Sequence, residues 1–559
     1  SSIISGLGLN LLGDRDNERF LSLDPCDDNS LQSKINELVL LSEVESVRIN
    51  PNAVASLYNI GTRTGAYSIQ SGINPYTTPY TGQGMKIGFW DFGSARNHPD
   101  FENRLRVRQC SSISCSLFNQ FINNHPTMMA GVLLGAGILW NQWYSGLSFP
   151  PVLIGVAPDA DGYSYDLLDA AGEMLWAHDI YGIDVSSNSW HWAPAFAGGL
   201  GSSGPRIEYE ARNFDRVAYE LADTPLVFAA GNTVCDPTPG SLCQLMQQQL
   251  GIMCDPEGYY NPVPGVAEWD CLFPPSSTKN VLTVGSIAQD GSISDFSSRG
   301  PTWDGRIKPD VVSLGEDIIT TDFTSSASGP IIYPTYTNNA PLFGTSFSAP
   351  TVAAHSVLLK ELLDDRTVQT GLSYEGYESA LIKAAFVHTA TDIELPGPDF
   401  LSGWGEINPR EAMNVLAGNT LVLDSFNEQN KHEVKKYPIS IPPWSQITEP
   451  LKITFVWNDY WDFAPTFQVP RNDLRELVNN LELYLCDASG SAIERPFVLD
   501  WQHPGVPATR GFNDRDNVEQ VLATPHVIQN YITTQTQSLF ACVRFSNYYN
   551  SPEVNQKFV

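Results

Sequence analysis

Three short segments carry side chains whose types could perform acid–base and nucleophilic chemistry. An apolar strand, Gly88–Trp90, ends at Asp91, and a glycine turn follows. His125 stands directly before a proline and a run of small residues, which indicates a helix start because proline suits the first helical turn. Ser346 follows a glycine and a threonine and opens a small-residue helix, where unpaired N–H groups and the helix dipole favour an anion. A carboxylate, an imidazole and a hydroxyl in this order could form a nucleophilic triad.

A fourth segment, Phe228–Asn232, ends another apolar strand with a carboxamide that could donate a hydrogen bond to an oxyanion. Taken singly, each of these residues also suits an ordinary role as a turn carboxylate, a helix cap or a packed histidine. The Asp-Phe-Gly triplet at 91–93 does not indicate a kinase, because no phosphate loop, strand lysine or His-Arg-Asp loop accompanies it. A lipase-type esterase would need a Gly-x-Ser-x-Gly elbow and the order Ser, Asp, His, and both are missing.

The elements that must hold these residues alternate between short apolar strands and helical segments, from Met85 to about Leu416. This alternation predicts an α/β fold with a parallel sheet and right-handed crossovers. Functional groups of such sheets collect outside the carboxyl ends of the strands, where Asp91 stands. The predicted strands are Lys86–Trp90, Val152–Gly155, Val185–Ser187, Leu226–Ala230 and Val281–Val284.

The two ends of the chain have a different pattern. Residues 1–50 contain one helical pattern, Leu31–Leu41, and then the strand-like Glu43–Ile49, whereas 51–81 is typical of an extended linker. Past Asn419, period-2 runs predict an antiparallel β-sandwich, jelly-roll-like in character. Its expected strands are Leu451–Trp457, Leu481–Leu485 and Leu539–Phe545. We therefore expect three parts: an N-terminal extension (1–50), an α/β domain (51–418) and a C-terminal β-sandwich domain (419–559); the family resemblance given below implies that the first is a propeptide remnant or an extension and that the second is catalytic.

Composition restricts the partners of this chain. Among 559 residues, 62 are acidic and 32 basic, which gives a formal net charge of −30 and disfavours nucleic acids and anionic membrane surfaces as partners. Because 42% of residues are hydrophobic and 17% charged, the chain can bury a large core. No stretch reaches the roughly 20 apolar residues of a membrane span. The chain begins at Ser1 without a methionine or signal peptide, so we expect a processed form or a leader already removed.

The four segments together resemble the subtilisin-like serine peptidases (subtilases, peptidase family S8). The resemblance covers about residues 80–415. Within the tail, Leu477–Leu483 and Asp516–Val521 resemble the C-terminal β-barrel of the KP-43-type alkaline proteases, and Ser187–Trp190 also fits that group. Further family-like motifs are Thr81–Gly84, His98–Phe101, Gly155–Pro158, Val281–Gly285, Phe296–Pro301 and Lys308–Val311.

The resemblance implies a secreted, extracellular serine endopeptidase that acts on proteins or peptides, and we expect a monomer. It implies that Asp91, His125 and Ser346 are catalytic and that Asn232 donates to the oxyanion. The implied substrate-binding residues are Ser187, Asn188, Ser189, Trp190, Ala230 and Gly231. If Glu43–Asn50 occupies the cleft, the chain is zymogen-like. An inactive subtilase scaffold that acts as a binding protein is the main alternative, and an exopeptidase is a third.

Three residues depart from the family pattern without deleting a reacting group: Phe92, Pro126 and Phe347. No cofactor is expected for catalysis, but structural calcium is common among subtilases. Its ligands are unknown; candidates are Asp159, Asp161, Asn472, Asp473 and Asn513–Asn517.

The nine cysteines contain no CxxC pair, so we expect disulfides of an oxidising compartment rather than a zinc site. We expect the pairs Cys110–Cys115 and Cys486–Cys542, with Cys26 left over. Two further bridges are expected within a group of four that lies where the family shapes its main specificity pocket: Cys235, Cys243, Cys254 and Cys271.

Overall fold

The structure of the protein is a computed structural model that describes the chain in separate stretches. The described residues are 9–15, 18–23, 60–72, 78–108, 124–138, 154–167, 169–191, 204–232, 269, 272–325, 332–336, 342–418, 420–462, 475–534, 538–548 and 555–559. Near the start of the chain, β1 (Leu9–Arg15) and β2 (Glu18–Leu23) form an antiparallel hairpin. The helix and strand predicted over 31–49 lie outside the described residues.

A seven-stranded parallel sheet occupies the centre of the α/β region. Every residue of its last four strands is buried, as expected for a parallel sheet covered on both faces. The predicted parallel α/β sheet is therefore confirmed. Its strands are β3 (Lys86–Trp90), β4 (Leu105–Val107), β5 (Asp161–Tyr165), β6 (Val185–Asn188), β7 (Leu226–Ala229), β8 (Leu282–Ile287) and β9 (Val311–Leu314), in the spatial order β4-β5-β3-β6-β7-β8-β9.

Helices cover the two faces of this sheet, and the side chains of each strand alternate between them. Ile87 and Phe89 of β3 belong to an apolar cluster that also contains residues of α3, α6, α7 and α8, whereas Trp90 belongs to a second cluster with residues of α4 and α5. The helices are α1 (Ile60–Arg63), α2 (Ala66–Gln70), α3 (His125–Leu134), α4 (Ala170–Tyr181), α5 (Gly204–Glu220), α6 (Thr345–Thr370), α7 (Glu378–Thr389) and α8 (Pro409–Ala417). A hairpin of β10 (Thr321–Ser325) and β11 (Ile332–Tyr336) precedes α6. No helix in the described part of the chain has both the length and the apolar character needed to cross a bilayer.

Two predicted elements of the α/β region are wrong where the structure describes them. The linker expected over 51–81 contains α1 and α2, because Ile60, Ala66 and Ile69 bury their side chains in the core. The described end of the strand expected at Val152–Gly155, Ile154 and Gly155, is not in the sheet: Gly155 N–H donates to the carbonyl of Gly135, at the end of α3. The sheet instead contains β5, which begins with an aspartate and a glycine, two residues that are uncommon in strands.

The tail is built from antiparallel strands, which confirms the predicted β-sandwich class. The two principal sheets share one apolar core that includes Leu483, Val543, Val521 and Phe455. Cys486 and Cys542 form the expected disulfide, while the other seven cysteines lie outside the described residues. The strands are β12 (Asp424–Asn427), β13 (Val434–Ile439), β14 (Leu451–Val456), β15 (Asn479–Cys486), β16 (Ala492–Glu494), β17 (Phe497–Val498), β18 (Thr509–Arg510), β19 (Val518–Ala523), β20 (Leu539–Tyr548) and β21 (Asn555–Phe558), with α9 (Pro525–Thr534) between β19 and β20.

A buried polar interface joins the tail to the α/β region. The Lys279 ammonium lies 3.3 Å from the carboxylate of Asp215 on α5 and 3.6 Å from that of Asp459 in the tail, and all three side chains are fully buried. The Arg306 guanidinium similarly lies 3.0 Å from the carboxylate of Asp304 in the α/β region and 2.6 Å from that of Glu476 in the tail. Because a buried charge is costly without a partner, the tail carboxylates Asp459 and Glu476 depend on these cations of the α/β region for compensation.

Candidate active site

Asp91 stands directly after β3, at the point where the order of strands reverses across the sheet. Its side chain is 1% exposed, and one carboxylate oxygen accepts the Phe92 N–H at 2.6 Å. Its own N–H donates to the carbonyl of Tyr165 on the neighbouring strand β5. Ligands of open α/β sheets bind in the crevice outside such a switch point, so the carboxylate is fixed where chemistry is expected.

His125 is the first residue of α3, and the following proline occupies the first helical turn as predicted. Its Nδ1 lies 2.8 and 2.9 Å from the two carboxylate oxygens of Asp91. Burial by itself lowers the pKa of an imidazole, but the charge and the hydrogen bond of Asp91 outweigh it, so the pKa of His125 lies above its ordinary value. This contact places the Nδ1 proton toward Asp91 and leaves Nε2 to act as a base.

Hydrogen bonds connect the start of α3 to residues 320–323, at and just before β10. The side-chain amide of Asn124 donates to the carbonyl of Phe323 at 3.0 Å, and the hydroxyls of Thr320 and Thr321 donate to carbonyls of the first helical turns at 2.8 and 2.7 Å. These three hydrogen bonds have no local signal in the sequence, because their partners are about 190 residues or more away along the chain.

Ser346 is the second residue of α6, and its side chain is partly exposed to solvent. Pro350 lies within the helix and has no N–H to donate to the Ser346 carbonyl one turn earlier. That carbonyl instead accepts the hydroxyl of Ser189 at 2.8 Å, which ties the nucleophile segment to the end of β6. The Ser346 hydroxyl is 3.4 Å from the carbonyl of Ser189.

Asn232 follows β7 and is oriented by the residue next to the serine. Its carbonyl oxygen accepts both the N–H and the hydroxyl of Thr345, each at 2.8 Å. Both hydrogen bonds fall on this oxygen, so the orientation of the amide nitrogen is set. Gly344 has φ +149°, and a Cβ there would lie 3.2 Å from this nitrogen. A glycine therefore suits the position in both conformation and space.

Two backbone hydrogen bonds hold Gly231 beside Asn232. Its N–H donates to the Thr345 hydroxyl at 3.2 Å, and its carbonyl accepts the Ser298 N–H at 2.9 Å. Its φ of +115° is a conformation that side chains rarely adopt. Ala230, just before it, is buried and donates its N–H to the Val284 carbonyl of β8.

Of the other predicted substrate-binding residues, two lie within β6 and two directly follow it. Ser187 and Asn188 pair with β3 on one side and with β7 on the other, so their backbones already have sheet partners. Ser189 and Trp190 follow the strand, and substrate binding by all four residues stays a prediction. The Trp190 ring is buried.

The calcium candidates are engaged in interactions within the protein where they are described. Asp161 forms an ion pair with Arg106 at 2.7 Å, and Asp516 accepts the Ile307 N–H at 2.7 Å. The described stretches contain no group of three or more His, Cys, Asp or Glu side chains arranged to hold a metal ion. Structural calcium therefore stays a prediction, and Asn472 and Asp473 lie outside the described residues.

Comparison with known proteins identifies the family. The chain is 25% identical over 344 residues to Subtilisin-like protease SBT6.1 of Arabidopsis thaliana, across 60% of this chain and 26% of the plant protein. It is 23% identical over 362 residues to Serine protease AprX of Bacillus subtilis strain 168, across 62% of this chain and 72% of the relative. The structure of MycP1 with its N-terminal propeptide removed matches at 19% identity and a TM-score of 0.39, across 63% of this chain and 96% of that one.

The chain spans about a quarter of the length of the plant relative. The closer resemblance of the tail to the KP-43 type stays a prediction. The Peptidase_S8 model, described as the subtilase family, matches residues 82–405, which is more than half of the chain. The chain therefore belongs to the subtilase family.

Proposed function

We propose that this protein is a secreted serine endopeptidase in which Asp91, His125 and Ser346 form the triad. The observation that carries the proposal is the short hydrogen bond between His125 Nδ1 and a buried carboxylate. An imidazole held in this way exposes its other nitrogen as a base, which is the arrangement that activates a serine hydroxyl. Membership of the subtilase family supports the same chemistry.

The reaction begins when Ser346 Oγ attacks the peptide carbonyl and His125 Nε2 takes the hydroxyl proton. Asp91 stabilises the resulting imidazolium and holds the ring in its productive tautomer. His125 then donates this proton to the leaving amine, and the acyl group stays on the serine. A water molecule, deprotonated by the same imidazole, hydrolyses this ester and restores the enzyme.

The negative charge on the attacked oxygen is placed between Asn232 and the start of α6. The amide of Asn232 and the Ser346 N–H donate to this oxygen, and the positive end of the helix dipole adds to the stabilisation. Such donors matter most when they need no reorganisation during the reaction. The two hydrogen bonds from Thr345 supply that rigidity to Asn232.

Secretion is proposed on two grounds. A relative named Extracellular serine protease, from Serratia marcescens, is 24% identical over 412 residues. The buried Cys486–Cys542 disulfide also suits an oxidising compartment. Proteins and peptides are the proposed substrates, and the monomeric state stays a prediction.

Covalent labelling with a fluorophosphonate tests the catalytic proposal. The wild-type protein is expected to incorporate one label per chain, and Ser346→Ala to incorporate none. Ser348→Ala is a matched control on the same helix, since the Ser348 hydroxyl is fully buried and donates to the carbonyl of Ser313. Absence of labelling in a correctly folded wild-type protein would instead favour the inactive scaffold. Cleavage of a peptide blocked at both ends would separate an endopeptidase from an exopeptidase.

A further inference from the structure

A cluster of six charged side chains is buried where the tail meets the α/β region, and in this cluster the acids outnumber the bases. Each side chain is at most 9% exposed. With every group ionised, four carboxylates against two cations would leave two negative charges uncompensated. Such charges are costly away from water, so a buried carboxyl retains a proton instead. The bases of this charged cluster are Lys279 and Arg306, and its acids are Asp215, Asp304, Asp459 and Glu476.

Hydrogen bonds indicate which of the two carboxyls beside Arg306 keeps a proton. The Asp304 oxygens accept Arg306 Nε at 3.0 Å and the Thr302 hydroxyl at 2.7 Å. The N–H of Glu476 also donates to Asp304, at 3.2 Å. The Glu476 carboxyl accepts Arg306 Nη2 at 2.6 Å. Because donors favour the ionised form of a carboxyl, Asp304 is the charged partner of Arg306, and Glu476 is a second acid on a cation that is already compensated.

The other charged groups near Glu476 do not supply the missing positive charge. Lys279 lies between two carboxylates, 3.3 Å from Asp215 and 3.6 Å from Asp459, so its charge is already shared. Asp516 of the tail accepts the Ile307 N–H and adds a further acid. The remaining cations have acidic partners of their own: Lys308 and Lys383 lie 2.6 and 2.9 Å from Asp310, and Arg475 lies 2.9 Å from Asp514.

This surplus of acid gives the folded protein a proton that the unfolded chain lacks. Burial, and then the charge of Asp304, raise the pKa of Glu476 from 4.5 to about 8, although Arg306 lowers it. Burial likewise raises the pKa of Asp459 to about 6. The stability that depends on protonated Glu476 is therefore complete below pH 4.5 and is lost as the pH rises to about 8.

We propose that the interface between the tail and the α/β region is sensitive to pH: it is tight while Glu476 is protonated and weakens when this carboxyl ionises in alkaline surroundings. Glu476 belongs to the tail, whereas Asp304 and Asp215 belong to the α/β region. The repulsion that follows ionisation therefore acts across the interface. The inference goes beyond the proposed function, because it uses none of the residues of the candidate active site.

Urea unfolding at pH 5 and at pH 9 tests the inference. Glu476→Gln has the shape of a protonated glutamate and cannot ionise. The ratio of the unfolding equilibrium constants, wild type over variant, should rise by at least about tenfold from pH 5 to pH 9, since one retained proton changes the constant by up to tenfold per pH unit. Glu449→Gln is the matched control: this glutamate of the tail is exposed, and its replacement should leave the ratio the same at both pH values.

A second variant keeps the test decisive if the glutamine variant folds poorly. Glu476→Met also removes the charge and leaves Arg306 with Asp304, so it too should gain stability relative to the wild type at pH 9. If both variants are less stable than the wild type at pH 9, or if the ratio does not change with pH, Glu476 is an ionised partner of Arg306 and the proposal is wrong.

Hydrogen exchange, corrected for the intrinsic effect of pH, locates the change. The N–H groups of Glu476 and Ile307 donate across the interface, to Asp304 and Asp516. Their exchange should be faster at pH 9 than at pH 5 in the wild type and should stay slow in Glu476→Gln. The amides of β8, inside the parallel sheet, should stay protected in both proteins. Equal acceleration in β8 would indicate that the whole protein opens and would overturn the assignment to the interface.

Discussion

Thr345→Val removes a hydroxyl that makes two hydrogen bonds beside the oxyanion donor. The Thr345 hydroxyl donates to the Asn232 carbonyl oxygen at 2.8 Å and accepts the Gly231 N–H at 3.2 Å. Valine has nearly the same shape, so the helix start and the neighbouring serine keep their positions. The N–H of residue 345 still donates to Asn232, which leaves one of the two orienting hydrogen bonds in place.

The expected loss of activity follows from the single hydrogen bond to Asn232 that the valine cannot make. A neutral hydrogen bond is worth about 0.5–1.5 kcal/mol net, which corresponds to a fall in kcat of roughly 2- to 13-fold if the bond serves only to orient Asn232. Asn232→Ala removes the donor itself and is expected to cost about 10²–10³-fold in kcat. The unpaired, buried Gly231 N–H that the valine leaves should also lower the free energy of unfolding by about 1–3 kcal/mol.

A double-mutant cycle separates positioning from general damage. Thr345→Val, Asn232→Ala and the double variant are compared by kcat and KM on one peptide substrate, with thermal unfolding measured alongside. The threonine change should lower kcat in the wild-type background and have no further effect once Asn232 is alanine, whereas KM stays within about twofold. Thr351→Val on the same helix is the control, because its buried hydroxyl bonds only within the helix, to the Phe347 carbonyl. An equal fall in kcat in both backgrounds, or in the Thr351 control, would refute the reasoning.

Three more outcomes are expected, for His125, Lys279 and Phe347. Because the pKa of His125 is raised, the acid limb of the pH profile of kcat/KM should lie at a higher pH than it would for an ordinary imidazole. Asp91→Asn should move this acid limb to lower pH. Lys279→Met leaves two buried carboxylates without their cation and should lower the free energy of unfolding, measured by urea denaturation, by about 3–5 kcal/mol. Lys431→Met is the control: its glutamate partner is half-exposed, so the free energy of unfolding should change by under about 1 kcal/mol. Phe347 has no thioether, so peroxide should spare the wild-type activity and inactivate Phe347→Met in step with sulfoxide formation; equal losses would contradict this.

The reacting groups could be predicted from local sequence because each stands at the end of an element. Asp91 follows an apolar strand, His125 precedes a proline in a helix start, and Asn232 follows a second strand. The carboxyl ends of parallel strands meet at one edge of the sheet, so the fold brings residues far apart in sequence together. The hydrogen bond of His125 with Asp91 agrees with that expectation.

Elements whose stability comes from distant residues were not predictable in the same way. The strand β5 begins with Asp161, whose charge is offset by Arg106 on the neighbouring strand β4. Residues 60–70 have a linker-like composition, yet α1 and α2 bury Ile60 and Ile69 against the α/β core. In both segments tertiary packing outweighs local propensity, and that packing has no local signal in the sequence.

The candidate site also contains both kinds of residue: some stand at the ends of strands and helices, and others are positioned by contacts between distant loops. The triad and Asn232 belong to strand and helix ends, where the backbone geometry of the fold sets their positions. His191 and Phe273 belong to two different loops, and their rings stack with centroids 5.8 Å apart. Loop side chains can change without disturbing the sheet, because they carry little of its hydrogen bonding or apolar packing. Contacts between two loops therefore have no local signal in the sequence, whereas the ends of strands and helices do.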